Sequence, residues 1–289
     1  MMEFKGCGTA LVTPFTSDGA VDYEAYSALV ERQARGGVDF LVALATTGET
    51  PALSSEEKIK LLKLTHEHAG GLPVVVGCGS NSVPGTLANM ALLEPYGADA
   101  WLVVVPFYNK PNQEGQYRYF KAVAEQTDKP VILYNVPGRT GANMTAETCL
   151  RLARDVKNIV ATKEASGKFD QIKEILDGAP EGFSVLSGDD DMTLSIMKEG
   201  AAGVISVASN VNPEAVSAMT AAALAGDFGK AGETEASLKP LFKACFVEPN
   251  PIPAKAALSI LGLCTPEMRL PLVSATEQTF DLMRSLLKK

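Results

Sequence analysis

Ala100-Trp101-Leu102-Val103-Val104-Val105 and Pro130-Val131-Ile132-Leu133-Tyr134-Asn135 are two apolar, β-branched runs separated by an amphipathic stretch. That is the pattern of parallel strands joined by a crossover helix. Similar runs lie at about 7–12, 39–45, 73–77, 159–163, 184–187 and 203–206, which makes eight candidate strands. Their C-terminal ends, near 12, 44, 76, 105, 134, 163, 187 and 206, recur at about 28 residues, the length of one βα repeat. A doubly wound sheet rarely keeps this rhythm for eight turns. The (β/α)8 barrel does, so the expected fold is an α/β TIM barrel over residues 1–226 that carries the active site. From about 228 onward the rhythm changes to three helical segments without a strand, with Pro249, Pro251 and Pro253 between the first two. Residues 227–289 therefore read as a C-terminal three-helix extension packed on the barrel, not a separate catalytic domain.

The helices carry their own punctuation. Leu53-Ser54-Ser55-Glu56-Glu57 offers a serine N-cap with acidic residues in the first turn, and Gly70-Gly71 supplies a stop. Asn212-Pro213-Glu214 places a capping asparagine before a first-turn proline, opening a helix to about Gly226.

Composition narrows the function. The chain has 289 residues, with 26 Lys plus Arg against 34 Asp plus Glu and a net charge of −8, which argues against a nucleic-acid or anionic-membrane partner. Its 46% hydrophobic and 21% charged residues are those of a folded protein, not a disordered one. The longest apolar stretches, such as Ala100–Phe107, are too short to span a bilayer. Met1–Lys5 precedes a strand-like run with no signal or transit pattern, so a cytoplasmic location is expected. The five cysteines, at 7, 78, 149, 245 and 264, form no CxxC pair and suggest neither disulfides nor a thiol metal site. His66 and His68 are two apart on a helical stretch, point to different faces and cannot clamp a metal together. Both are expected near the surface, which disfavours histidine-centred acid–base chemistry.

In such a barrel the chemistry gathers where strands end and βα loops begin. Strand two ends Ala45-Thr46-Thr47-Gly48-Glu49, where hydroxyls and backbone N–H groups can converge on a small carboxylate or merely cap a turn. Strand six ends Thr162-Lys163-Glu164-Ala165-Ser166-Gly167. A lysine closing an apolar strand is either a solvated end or an amine held in a low-dielectric mouth. In the second state its neutral form can attack a ketone, giving a Schiff base that withdraws electrons from the adjacent carbon. Strand five ends Tyr134-Asn135-Val136-Pro137-Gly138-Arg139-Thr140: a tyrosine able to shuttle protons through another hydroxyl, and an arginine able to hold a carboxylate with two prongs, or else an aromatic filler and a surface arginine. Strand four ends in the proline-stiffened Pro106-Phe107-Tyr108-Asn109-Lys110-Pro111. Strand seven ends Leu186-Ser187-Gly188-Asp189-Asp190, whose glycine permits close ligand approach and whose aspartates could equally be helix caps. Gly77-Cys78-Gly79-Ser80-Asn81-Ser82 begins like a dinucleotide fingerprint but lacks the third glycine, and no Walker lysine follows a glycine-rich loop, so no nucleotide cofactor is expected.

Six motifs in order, TTGE at 46–49, PFYNKP at 106–111, YNVPGRT at 134–140, KEASG at 163–167, LSGDD at 186–190 and EPNPIPAK at 248–255, resemble the dihydrodipicolinate synthase family over nearly the whole chain. That family belongs to the pyruvate-dependent class I aldolases, which are (β/α)8 barrels. The resemblance implies condensation of pyruvate with L-aspartate 4-semialdehyde to 4-hydroxy-tetrahydrodipicolinate, on the diaminopimelate route to lysine, through a covalent Schiff base and with no metal or other cofactor. By the same resemblance Lys163 forms the Schiff base, Thr46 and Thr47 hold the pyruvate carboxylate, and Tyr134, Thr46 and Tyr108 form a proton relay. Arg139 binds the semialdehyde carboxylate, while Gly188 and the Ile205 carbonyl shape the pocket. Tyr108 would enter from a neighbouring subunit, implying a homo-oligomer, usually a dimer of dimers. Two departures stand out. Ala45 replaces a usual glycine, a small and tolerable change. Ser55, Gly85 and Phe107 stand where lysine-inhibited relatives carry His, Glu and Tyr, so feedback by lysine is expected to be weak or absent. The alternatives are an N-acetylneuraminate lyase or 2-keto-3-deoxy sugar acid aldolase of the same superfamily, which Arg139 disfavours, and an inactive barrel serving as a binding or scaffold protein.

Overall fold

Eight short strands follow one another around a closed parallel barrel: β1 (Gly6–Ala10), β2 (Phe40–Ala43), β3 (Val74–Gly77), β4 (Ala100–Val104), β5 (Val131–Asn135), β6 (Ile159–Glu164), β7 (Ser184–Ser187) and β8 (Gly203–Ser206). Pairing of β1 with both β2 and β8 closes the ring in this computed structural model, which describes residues 3–287. The expected strands are present with shifts of one or two residues at most ends. A wall covered on both faces explains the apolar runs: one set of side chains fills the barrel, including Phe40, Val42, Val75, Leu102, Ile132, Leu186 and Ile205. The alternate set, including Leu41, Val74, Val76, Trp101, Val103 and Leu133, packs under the helices.

The helices are α1 (Tyr23–Arg35), α2 (Ser55–His68), α3 (Val83–Leu93), α4 (Gln113–Ala124), the single turn α5 (Pro137–Thr140), α6 (Ala146–Asp155), α7 (Phe169–Gly178), α8 (Thr193–Met197) and α9 (Pro213–Leu224). Ser54 and Glu57 form a reciprocal capping box at α2, satisfying two otherwise orphaned N–H groups, and Gly70 and Gly71 take the left-handed conformations that end it. Asn212 accepts from the Ala215 N–H, and Pro213 occupies the first turn of α9, which ends at Leu224, two residues before the expected glycine. Three further helices follow: α10 (Phe228–Ala244), α11 (Ile252–Ile260) and α12 (Glu277–Leu287). α10 packs on α9, and α12 packs on α11 and α10. Among the described residues no helix is long and apolar enough to cross a membrane. All five cysteines are free thiols, four of them buried. His66 and His68 are half-buried: His66 contacts the Gly97 carbonyl, and His68 pairs with Glu31 at 2.8 Å.

Candidate active site

Lys163 faces the barrel mouth because β6 is irregular. Val131 pairs with Ile159 but the next residue, Ile132, pairs with Ala161, so one extra residue is inserted at Val160. A one-residue insertion reverses which face every later side chain meets. Ile159 packs under the helices, but after the bulge Ala161 joins the interior cluster. Lys163, two residues on, lines the cavity at the mouth. Without the bulge, strict alternation from Ile159 would turn the lysine into the helix layer.

Tyr134 is the register partner of Lys163 on β5, and the amine lies 4.3 Å from the centre of its ring. Both side chains are buried, Lys163 at 4% exposure, and Lys163 takes part in none of the ion pairs among the described residues. The cavity has a volume of about 460 Å³ and is also bounded by Thr47, Arg139 and Gly188. Gly188 gives the lysine room: a Cβ there would lie 2.6 Å from the Ala165 Cβ and 3.1 Å from the Lys163 Cε. Its N–H donates to the Glu164 carbonyl at 2.7 Å, which fixes the close approach of β7 to β6.

Five of the eight residues singled out from sequence thus converge: Lys163, Tyr134, Thr47, Arg139 and Gly188. The other three do not line this cavity. Thr46 is half-buried in the 3₁₀ turn that follows β2. Ile205 faces the barrel interior at 1% exposure, within the packed apolar cluster, and Val207 is the residue from that strand end that reaches the cavity. Tyr108 is 88% exposed with φ +73°, a left-handed backbone that is strained for an aromatic residue.

The extension contributes what the strand ends did not reveal. Asn250, Phe242, Lys243 and Phe246 all line the cavity. The Asn250 side-chain amide donates to the Thr47 hydroxyl at 3.0 Å, and its main-chain carbonyl accepts from the Arg139 guanidinium at 3.1 Å, so one residue holds both Thr47 and Arg139. Its side-chain oxygen is buried without a partner among the described residues. Behind the Thr46–Thr47 turn, Lys255 of α11 pairs with Glu49 at 2.8 Å and donates to the Thr13 carbonyl at 2.9 Å. Of the aspartates after β7, Asp189 caps the following turn. The buried Asp190 accepts from Ser206 and from the Val207 and Ala208 N–H groups. Burial pushes the Asp190 carboxyl above the usual carboxylate range, and these hydrogen bonds oppose the shift.

The sequence profile of the Dihydrodipicolinate synthetase family matches residues 3–289. The chain belongs to that family. As a family member it is an enzyme, a lyase of the class I aldolase type. A 4-hydroxy-tetrahydrodipicolinate synthase of Phocaeicola vulgatus is 49% identical over 288 residues, covering 99% of this chain and 97% of the relative. The crystal structure of a dihydrodipicolinate synthase from Thermotoga maritima superposes with a TM-score of 0.97 at 46% identity, over 99% of this chain and 98% of that one. A structure described as a monomeric dihydrodipicolinate synthase variant superposes with a TM-score of 0.96 at 47% identity, over 99% and 96%.

Proposed function

We propose that this enzyme condenses pyruvate with L-aspartate 4-semialdehyde to give 4-hydroxy-tetrahydrodipicolinate, through a Schiff base on Lys163. The observation that carries the proposal is a buried lysine, on the cavity wall, with no acid paired to it. An amine so placed is not committed to a salt bridge, and its neutral form can attack the pyruvate ketone. Loss of water then gives the imine. Removal of a methyl proton turns the imine into an enamine, which attacks the aldehyde carbon of the second substrate. The amino group of the semialdehyde then attacks the imine carbon, closing the ring as the C–N bond to Lys163 breaks and the free amine is regenerated. The cycle needs no metal or separate cofactor.

Tyr134, whose ring lies beside the amine, is placed to move protons in these steps, with Thr46 and Tyr108 completing a relay. Thr47 is steadied by Asn250 and would receive the pyruvate carboxylate, while the remaining N–H groups of Arg139 would hold the semialdehyde carboxylate. The exposed, strained Tyr108 is useful only if it enters the mouth of a second copy, so the working form is a homo-oligomer, a dimer of dimers. Free buried thiols suit a cytoplasmic enzyme. With Ser55, Gly85 and Phe107 at the positions that would pair with lysine's charges, lysine inhibits weakly or not at all. Micromolar inhibition in an initial-rate assay would overturn that last point.

The test of the function is a comparison of substrates. Turnover of pyruvate with aspartate 4-semialdehyde should exceed cleavage of sialic acid or a 2-keto-3-deoxy sugar acid by at least about 100-fold in kcat/KM, because Arg139 rewards a short aldehyde bearing a carboxylate. Faster cleavage of a sugar acid would reassign the acceptor. Turnover of neither class would point to a binding protein.

A further inference from the structure

Glu164 follows Lys163 on β6 and therefore faces the other way, into the layer between barrel and helices. Its register partner is Asn135, the neighbour of Tyr134 on β5, so the pairs Tyr134–Lys163 and Asn135–Glu164 sit one above the other with opposite facing. Glu164 is 1% exposed and takes part in no ion pair among the described residues. The Asn135 amide donates to its carboxyl at 2.9 and 3.2 Å, and the Ser166 N–H donates to it at 3.0 Å. Asn135 also donates to Asn143 and Met144 and accepts from the Met144 N–H at 3.0 Å. One buried acid thus ties the end of β5 and the turn after β6 to the segment that enters α6.

We infer that Glu164 is a positioning residue for the Schiff-base chemistry: by locking Asn135 and the Ser166 turn behind the barrel wall, it fixes where Tyr134 and Lys163 stand at the mouth. The inference rests on the reading of Lys163 given above. A network that joins both strand ends controls the one spacing the proton transfers depend on, and displacements of about 1 Å can cost about 100-fold in rate. Burial lifts the Glu164 carboxyl to about 7, the hydrogen bonds from Ser166 and Asn135 opposing it, so near neutrality the group passes between a neutral and a charged form. The titratable group facing it from α6 is the Cys149 thiol, which burial pushes up. From β5 and α7 it meets the amides of Asn135 and Gln171, and from β7 its register partner is Ser187.

The experiment compares Glu164→Ala and Glu164→Gln with the parent, measuring kcat, KM for pyruvate and their pH profiles from about 6 to 8.5, beside borohydride trapping of pyruvate. Glu164→Ala should lose about tenfold or more in kcat with KM for pyruvate changed less, and glutamine, which keeps the shape and, with its oxygen in the Oε1 place, the bonds from Asn135 at 2.9 Å and Ser166 at 3.0 Å, should restore kcat to within about threefold at pH 7. The glutamine variant should also lose the parental ionisation near neutrality. Parental kcat in the alanine variant, or a glutamine variant whose pH profile superposes on the parent's, overturns the inference. Should the alanine variant not fold, the glutamine profile alone decides. If the parent itself traps no pyruvate, it is the Lys163 reading that has failed.

Discussion

Lys255 and Lys163 are the two buried lysines among the described residues, at 0% and 4% exposure, and burial alone does not distinguish them. Lys255 has the Glu49 carboxylate at 2.8 Å, the Thr13 carbonyl at 2.9 Å and the face of Phe15 at 4.3 Å. Burial pushes its ammonium below the usual lysine range and Glu49 opposes the shift. Lys163 has the face of Tyr134 and an open cavity. The first amine has its donors committed to a structural contact between α11 and the turn after β2. The second is left for a ligand. On the proposed mechanism it is the absence of a partner at a cavity wall, more than low exposure, that would mark the reactive amine.

The strongest way to break this contrast is to exchange the two amines for thioethers. Lys163→Met should lower product formation by at least about 1,000-fold while leaving the thermal midpoint close to the parent's, since no ion pair is lost. Lys255→Met should act the other way. It leaves Glu49 buried and unpaired, which should cost about 3–5 kcal/mol in chemical denaturation, and adding Glu49→Gln should recover part of that loss. A Lys255→Met protein as stable as the parent would contradict the structural role.

A smaller effect comes from the acid that follows Lys163 on β6. Glu164 has a folded value of about 7 against an ordinary 4.5, so between these pH values the folded chain holds a proton that the unfolded chain has released. Folded stability should therefore fall as pH rises from 4.5 to 7, by about 3 kcal/mol from this group, and be unaffected by it below that window. Glu164→Gln should flatten this part of the denaturation-versus-pH curve, and an unchanged slope would count against the burial argument. The gentlest perturbation is Gly188→Ala. Its Cβ would press on Ala165 and the Lys163 Cε, so imine formation should slow by about tenfold, in line with about 1–3 kcal/mol for overpacking. Parental trapping kinetics would show that the loop yields freely.

The barrel was legible because its strands are covered on both faces and announce themselves as eight apolar runs at a regular interval. Lys163, Tyr134, Thr47, Arg139 and Gly188 stood out at or just after strand ends, but that pattern left solvated ends and turn caps open, and it was the six motifs in register that chose the cavity for them. Asn250 did not stand out: it reaches Thr47 across 203 residues of sequence, and only the packing of the extension on the barrel brings them together. The bulge at Val160 was also hidden, since an extra apolar residue inside an apolar run leaves no mark in composition. Glu164 did leave one. Alternation from Lys163 puts an acid against the apolar helix layer, where an unpaired carboxyl is costly and calls for an explanation. Tyr108 could be chosen from its motif, but within the single chain it is exposed to solvent and does not line the cavity.

The most direct test of the central claim is borohydride reduction of the enzyme with pyruvate, followed by peptide mass mapping. The account predicts one pyruvyl adduct, on the peptide carrying Lys163, and none on the peptide carrying Lys255. An adduct on another lysine, or none on a folded sample, would contradict it.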